Sequence, residues 1–238
     1  MKIVGVIPAY NEAPTIRDVA TRALRFLPNL IVVNDGSSDA TLEELGGLPV
    51  TLISNPRNLG KGASLARGFA IALAEGADAI VTLDADAQHC PEDIPRLIEA
   101  SHAHPGHIVI GARLWDRGKV PPLRYFGNRF ANFWVAWAAG FPVKDSQSGF
   151  RLYPAPLLRS ISVNPAARFA FESEILIEAG RAGVRTTAVP IAALYPANAR
   201  PSHYRNAVDT ARIVRMVAWK LITRGLYVPG LVRSLRGA

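Results

Sequence analysis

The sequence predicts an α/β domain on a mostly parallel sheet with helices on both faces, followed by a short basic helical segment. Three observations carry this. Apolar runs of strand length alternate with stretches of helical spacing through the first hundred residues. The polar clusters fall just past the C-terminal ends of those strands, the edge where open α/β sheets bind ligands. The charge is also divided. Residues 1–197 hold 19 Lys/Arg against 18 Asp/Glu, whereas residues 198–238 hold 8 against Asp209 alone. The net charge of +8 therefore describes a tail, and the expected division is a near-neutral folded domain over 1–197 and a basic helical segment over 198–238.

Taken in order, Lys2–Ile7 reads as a strand ended by Pro8, and Ala13–Leu27 has helical spacing. Leu30–Val33 is a second strand running into the turn Asn34–Asp39, whose Asn, Gly, Ser and Asp are turn and cap formers. Thr51–Ser54 is a third strand, followed by a helix from about Gly62 to Gly76. Ala79–Leu83 is a fourth strand leading into Asp84-Ala85-Asp86, with a helix starting near Pro91. Beyond residue 107 the pattern loosens to a strand at Ile108–Gly111 and a basic, proline-containing loop over 113–122. Helices follow at Arg124–Ala139, Phe171–Gly180 and Asn206–Thr223. No internal repeat or low-complexity run interrupts the chain.

Composition excludes several classes. With 49% hydrophobic and 19% charged residues in 238, the chain can bury a core and is too apolar for disorder. Its single cysteine, Cys90, rules out a disulfide framework and a cysteine metal site. The longest uncharged stretches, Phe130–Val143 and Thr186–Ala199, are 14 residues each, short of the roughly 20 that span a bilayer. No secretory leader is expected, which points to a cytoplasmic setting. Nucleic acid is not an expected partner, because no groove-reading motif accompanies the basic tail. His102, His104 and His107 flank Pro105-Gly106 and read as a surface loop, not a zinc site.

The chemistry-bearing cluster is Asp84-Ala85-Asp86-Ala87-Gln88-His89. Two carboxylates leaving one buried strand repel each other unless a cation lies between them. Oxygen ligands of this kind suit Mg²⁺ or Mn²⁺, which complete their shell with water and substrate phosphates. Tyr10 and Glu12 after the first strand offer an aromatic face and a carboxylate, and Asp35 and Asp39 follow the second. Asn58-Leu59-Gly60-Lys61-Gly62 is glycine-rich but lacks the first glycine and the Ser/Thr of a Walker loop.

In order, Ile7-Pro8-Ala9-Tyr10-Asn11-Glu12, Val33–Asp39, Asn58-x-Gly60-Lys61-Gly62, Asp84-x-Asp86-x-Gln88-His89-x-Pro91 and Asp145-x-x-Ser148-Gly149-Phe150-Arg151 resemble a family 2 glycosyltransferase of the GT-A fold. The resemblance covers roughly residues 3–195 and is nearest the dolichyl-phosphate mannose synthase and polyprenyl-phosphate branch. It implies that Pro8, Tyr10, Glu12 and Asp35 hold the base and ribose of a nucleotide-sugar donor. Lys61, Ala85 and Arg200 would join the donor site, with Arg200 or Ser202 on a late loop. Asp84, Asp86 and Gln88 would hold the divalent metal. Arg113, Arg129 and Arg151 would hold the acceptor phosphate, and Asp145 and Glu172 would lie on the acceptor side. Asn34 stands where many members carry a second aspartate.

The implied reaction is metal-dependent, inverting transfer of a sugar from a GDP- or UDP-linked donor to a polyprenyl or dolichyl phosphate. A phosphate acceptor needs cations rather than a base. A hydroxyl acceptor, on a lipid, pigment or saccharide, needs a carboxylate base, for which Asp145 and then Glu172 are the candidates. A scaffold that kept only donor binding would have little use for the two aspartates.

Two segments bear on lipid. Phe130, Phe133, Trp134 and Trp137 read either as core or as a groove for a polyprenyl chain. On a wheel over 205–224, Ala207, Ala211, Val214, Val217, Ala218, Leu221 and Ile222 share one face, while Arg205, Asp209, Arg212, Lys220 and Arg224 share the other. Such a helix either lies in the headgroup plane of an anionic membrane or packs on the domain. The expected location is therefore peripheral, at the cytoplasmic face of a membrane, reached directly or through a membrane-anchored partner.

Overall fold

A computed structural model describes residues 1–113, 122–192, 194 and 206–236, with side chains outside 122–128, 206–208 and 236. Its elements are β1 (Ile3–Ala9), α1 (Ile16–Leu24), β2 (Leu30–Asn34), α2 (Thr41–Glu44), β3 (Thr51–Ser54), α3 (Lys61–Ala74), β4 (Ala79–Thr82), α4 (Ile94–Ala103), β5 (Ile108–Arg113), α5 (Pro122–Ala139), β6 (Arg151–Pro154), α6 (Ala155–Ser160), α7 (Phe171–Arg181), β7 (Thr186–Ile191), α8 (Asn206–Ile222) and α9 (Val228–Arg236).

The seven strands form one sheet in the order β3-β2-β1-β4-β6-β5-β7. All neighbours run parallel except at β6, which is antiparallel to both β4 and β5. Strand residues alternate between two apolar layers. Val4, Val6, Ile31, Val33, Ile80, Ile110 and Tyr153 face α3, α5, α7 and α8. Ile7, Val32, Val81, Val109 and Leu152 face α1 and α4. That period of two is the pleat itself, and it puts helices on both faces as the sequence predicts.

Pro8 does not end β1. The strand continues to Ala9 against β2, while β4 pairs only with Ile3–Val6. The missing proline N–H thus falls beyond the end of β4, where no ladder needs it. α2, α6, β6, β7 and α9 are additions to the sequence reading. β6 is four residues with an arginine and no alternation. β7 contains Pro190 and survives because it is a sheet edge, paired with β5 alone.

The tail packs on the domain. Ile213, Val217 and Leu221 of α8 are buried in the layer shared with α5 and α7. Lys220 reaches inward to Glu174 (2.8 Å) and Glu178 (2.7 Å) of α7. The buried stripe therefore differs from the one the wheel predicts. Of the expected apolar face, Val217 and Leu221 go in, while Val214 and Ile222 are exposed. Lys220, expected outside, turns inward because Glu174 and Glu178 meet it there, and Asp209 is buried while paired with Arg212 one turn on. Arg200, Ser202 and Arg205, with most of the loop after Arg113, lie outside the described residues.

Candidate active site

Because β1, β2, β3, β4 and β5 run the same way, their C-terminal ends share one edge. The antiparallel β6 brings its entry there as well. The loops after Ala9, Asn34, Ser54 and Thr82, the end of β5 at Arg113, and the segment 145–150 thus converge.

At the β2 end, Asp35 is buried and accepts Asn55 Nδ2 (2.8 Å), Leu59 N (2.9 Å) and Gly60 N (2.7 Å). Its carboxylate shapes the glycine loop that starts α3. Gly60 sits at φ +99°, and a Cβ there would lie 2.6 Å from the Arg168 side chain, so only glycine fits. Asp39 accepts the Ala13 amide (3.2 Å) and the amide and hydroxyl of Thr41. These bonds tie the two loops together; burial alone would raise the Asp39 carboxyl, but the Thr41 and Ala13 donors hold it below its ordinary value. Asn11, at φ +54°, clasps Ser37 and Ser38 through Asn11 N to Ser37 Oγ (2.9 Å) and Ser38 N to Asn11 Oδ1 (2.7 Å). Pro8, Tyr10 and Glu12 stand half-buried beside this clasp.

At the β4 end, Lys61 from the first turn of α3 bridges two carboxylates. Its Nζ lies 2.7 Å from Asp84 Oδ1 and 2.9 Å from Glu172 Oε2, at the start of α7. Burial alone would lower the ammonium, but Asp84 and Glu172 outweigh it and hold it above its usual value. Burial would likewise raise Asp84, yet Lys61 and His89 keep it below the ordinary carboxylate range. Asp86 has no such partner. Burial and then Asp84 push it up to about 6, against the amide of Gln88 that donates to Oδ1 (3.0 Å). Ala85 is buried, and its carbonyl accepts Thr15 Oγ1 (2.7 Å). His89 is buried against Phe150 (ring centroids 5.6 Å apart) with neither ring nitrogen bonded, and burial lowers it to about 4. Sequence reasoning placed Lys61 in the donor site but gave no sign of its bridge to Glu172.

Asp86 and Asp84 fit a divalent cation, since an anion that burial and a neighbouring carboxylate both disfavour is relieved by positive charge. Among the described residues, no group of three or more His, Cys, Asp or Glu could hold a metal by itself. A Mg²⁺-type site does not require one, because phosphate oxygens and water complete it.

Of the residues expected on the acceptor side, two are already engaged within the protein. Asp145 is fully buried and takes a bidentate pair from Arg113, Nε to Oδ2 at 2.9 Å and Nη2 to Oδ1 at 3.0 Å, plus the amides of Arg113 and Gln147. A carboxylate so held is a clamp for Arg113 rather than an available base. Arg151, expected to meet the acceptor, is also fully buried. It donates to the carbonyls of Ser148 (2.7 Å), Ser146 (2.8 Å) and Glu172 (2.9 Å) and to the Tyr153 hydroxyl (3.3 Å). It has no face left for a ligand, and instead ties the 145–150 segment to α7. Glu172 keeps one buried oxygen, Oε1, with no partner. Gly149 lies over the pair opposite, where a Cβ would run into Asp84 Oδ2 and stand 2.7 Å from Lys61 Nζ.

Arg129 is exposed on α5, one turn before Asn132. Asn132 Oδ1 accepts both the amide (2.8 Å) and hydroxyl (2.7 Å) of Ser146, which ties α5 to the clamped segment. Of the aromatics on α5, Phe130 is 60% exposed. Trp134 and Trp137 stack at 5.1 Å, and Trp137 Nε1 donates to Leu226 O (2.9 Å).

Residues 6–160 match the profile of Glycosyl transferase family 2. The UDP-N-acetylglucosamine–dolichyl-phosphate N-acetylglucosaminyltransferase of Methanococcus voltae is 31% identical over 212 residues, covering 80% of this chain and 84% of that protein. The dolichol-phosphate mannosyltransferase of Pyrococcus furiosus is 32% identical over 191 residues, covering 75% and 53%. Among solved structures, the glucosyl-3-phosphoglycerate synthase of Mycobacterium tuberculosis with Mn²⁺ and UDP-glucose superposes with a TM-score of 0.66. It is 23% identical, over 94% of this chain and 78% of that one, and that likeness is one of fold.

Proposed function

The chain belongs to glycosyl transferase family 2 and is a glycosyltransferase; we propose that it moves one sugar from a GDP- or UDP-linked donor to the phosphate of a polyprenyl or dolichyl phosphate at an anionic membrane surface. The observation that carries the acceptor reading is the Arg113–Asp145 clamp. A hydroxyl acceptor needs a free base, and the first candidate is locked to a guanidinium. A phosphate is already ionised and needs only cations, which Arg113 and Arg129 supply. The relatives named for dolichyl-phosphate substrates support the same choice.

The donor lies across the strand ends. Pro8, Tyr10 and Glu12 border the base and ribose, Asp35 sets the loop that closes on them, and Lys61 faces the diphosphate. Asp86, Gln88 and Asp84 would hold Mg²⁺ or Mn²⁺, which offsets the charge that builds on the departing nucleoside diphosphate. Arg113, fixed by Asp145, orients the attacking phosphate oxygen for displacement on the opposite face of the sugar. Gly149 brings bare backbone up to Asp84 and Lys61, where a side chain would displace them.

Membrane contact is supported by the outer side of the tail. Of the twelve large apolar side chains exposed among the described residues, seven lie between Val214 and Leu235, including Trp219, Ile222, Val228 and Val232. Arg215 and Arg233 are exposed among them, and Asp209, the one acid of 206–236, is buried. Apolar residues set among arginines suit the headgroup layer of an anionic bilayer. No helix among the described residues is long and apolar enough to cross a membrane.

The test is transfer from a panel of GDP- and UDP-sugars to polyprenyl phosphate and to the matching polyprenol, in vesicles containing phosphatidylglycerol. Product on the phosphate alone is expected. Product on the alcohol alone would replace the acceptor reading with a hydroxyl one.

A further inference from the structure

The Asp84–Lys61–Glu172 bridge has a consequence for how the site is loaded. Lys61 Nζ occupies Asp84 Oδ1 at 2.7 Å, the carboxylate that a diphosphate-bound cation would need. The same nitrogen is 2.9 Å from Glu172 Oε2, so a second carboxylate already holds it. Glu172 is 6% exposed, and its Oε1 is buried with no partner. A buried acceptor without a donor is costly, so this oxygen is a vacant place for an ammonium hydrogen. The three residues come from different elements: Lys61 from α3, Asp84 from the end of β4 and Glu172 from α7. Gly149 packs on the pair as bare backbone, since a Cβ there would crowd both Asp84 Oδ2 and Lys61 Nζ, and the Asp84 and Lys61 side chains keep 24% and 15% of their surface exposed.

We infer that Lys61 is a resident counter-ion that holds Asp84 until a metal–nucleoside-diphosphate complex displaces it, and that Glu172 is the carboxylate to which it withdraws. This rests on the reading of Asp84 and Asp86 as the metal-holding pair. A divalent cation alone must compete with Lys61 for Asp84 and gains nothing from the ammonium. A cation arriving with a diphosphate also brings anionic oxygens, which the displaced ammonium can meet from its place on Glu172. Loading of metal and nucleotide is therefore coupled, and the empty site keeps Asp84 paired instead of collecting free cations.

The experiment is Mn²⁺ binding to the full chain by electron paramagnetic resonance, with and without UDP or GDP. It compares wild type, Lys61→Met, Lys61→Arg and Asp84→Asn, with thermal unfolding run on each. Without nucleotide, Lys61→Met is expected to bind Mn²⁺ about tenfold more tightly than wild type, having lost the competitor. With nucleotide it is expected to bind more weakly, having lost the cation that meets the diphosphate. Lys61→Arg keeps the charge and the grip on Asp84, so its affinity without nucleotide stays at or below that of wild type. Asp84→Asn loses affinity in both conditions.

That reversal of sign separates displacement from a general field. Tighter binding by Lys61→Met in both conditions overturns the inference, and so does unchanged or weaker binding without nucleotide. If Lys61→Met does not fold, tighter binding by Lys61→Arg without nucleotide overturns it. Sugar transfer by wild type is measured on the same preparations. Transfer to polyprenyl phosphate without the reversal would sink the counter-ion role alone, whereas no Mn²⁺ binding with nucleotide would remove the metal reading with it.

Discussion

The strand-end half and the helical half of the molecule treat charge in opposite ways. Around the C-terminal ends of β1–β5, charged groups are drawn inward and crowded: Asp35, Asp84, Lys61, Asp145 and Arg113 lie within or beside the sheet edge, and Asp86 sits there at a cost. Across α8 and α9 the pattern inverts. Lys220 and Asp209 are inside with partners, and Val214, Trp219, Ile222 and Val232 are outside. Crowded inward charge marks a place prepared for a charged ligand, because only such a ligand relieves it. Outward apolar surface marks a place prepared for something less polar than water. On the function proposed above, one half meets a nucleotide and the other a surface.

The largest test of that contrast is Asp86→Ala. Sugar transfer should fall about a thousandfold or more in initial-rate assays, with the melting temperature unchanged or raised, since the lost carboxylate is one the fold disfavours. A parallel loss of stability would show Asp86 to be structural.

Next comes pH, read in metal-free protein by denaturant unfolding. His89 is held down to about 4 from 6.5, so between those values the unfolded chain binds the proton and stability falls as pH falls. Asp86 is raised to about 6 from 3.8, so the folded chain binds the proton first and stability rises as pH falls through the same range. The two oppose each other. His89→Leu should remove an acid loss of about 3 kcal/mol between pH 6.5 and 4, and Asp86→Asn should steepen it. Identical slopes in all three proteins would refute the assignment.

A pair of glycines sharpens the division between site and scaffold. In Gly149→Ala the new Cβ meets Asp84 and Lys61; transfer should drop about a hundredfold with little change in unfolding. In Gly180→Ala it lands on the Ala139 carbonyl oxygen of α5. Parting α7 from α5 should cost about 2 kcal/mol in chemical denaturation while activity per folded molecule persists. Exchange of the two phenotypes would break the comparison.

The smallest effect belongs to the surface. Trp219→Ser with Ile222→Ser should weaken sedimentation with phosphatidylglycerol vesicles about tenfold. Stability should move within about 0.5 kcal/mol, as for other exposed positions. Equal binding by the double variant would remove α8 from the docking face.

Much of the first half is legible in the sequence because its signals are local. A strand of Val and Ile followed by Asn, Asp and Gly announces both the element and the edge where it ends. The five motifs at those ends name the family and place Asp84, Asp86 and Lys61 at one edge. The second half is less legible. β6 and β7 show no clear alternation of polarity in the sequence; β6 is a strand because β4 and β5 flank it, and β7 because β5 offers it a ladder. The wheel over 205–224 picks the wrong stripe for α8 because it ranks side chains by polarity, whereas Glu174 and Glu178 make the inside acceptable to Lys220.

By itself, then, the sequence determined the fold class, the family and the residues that could handle a nucleotide, since these depend on periodicity and short motifs along the chain. Only the tertiary structure decided which of those residues are spoken for. Asp145 is a clamp for Arg113, Arg151 is an internal tie and Lys61 spans Asp84 and Glu172, because a charge is free or bound according to what lies within about 3 Å of it. For Lys61 and Glu172 that neighbour is more than one hundred residues away along the chain.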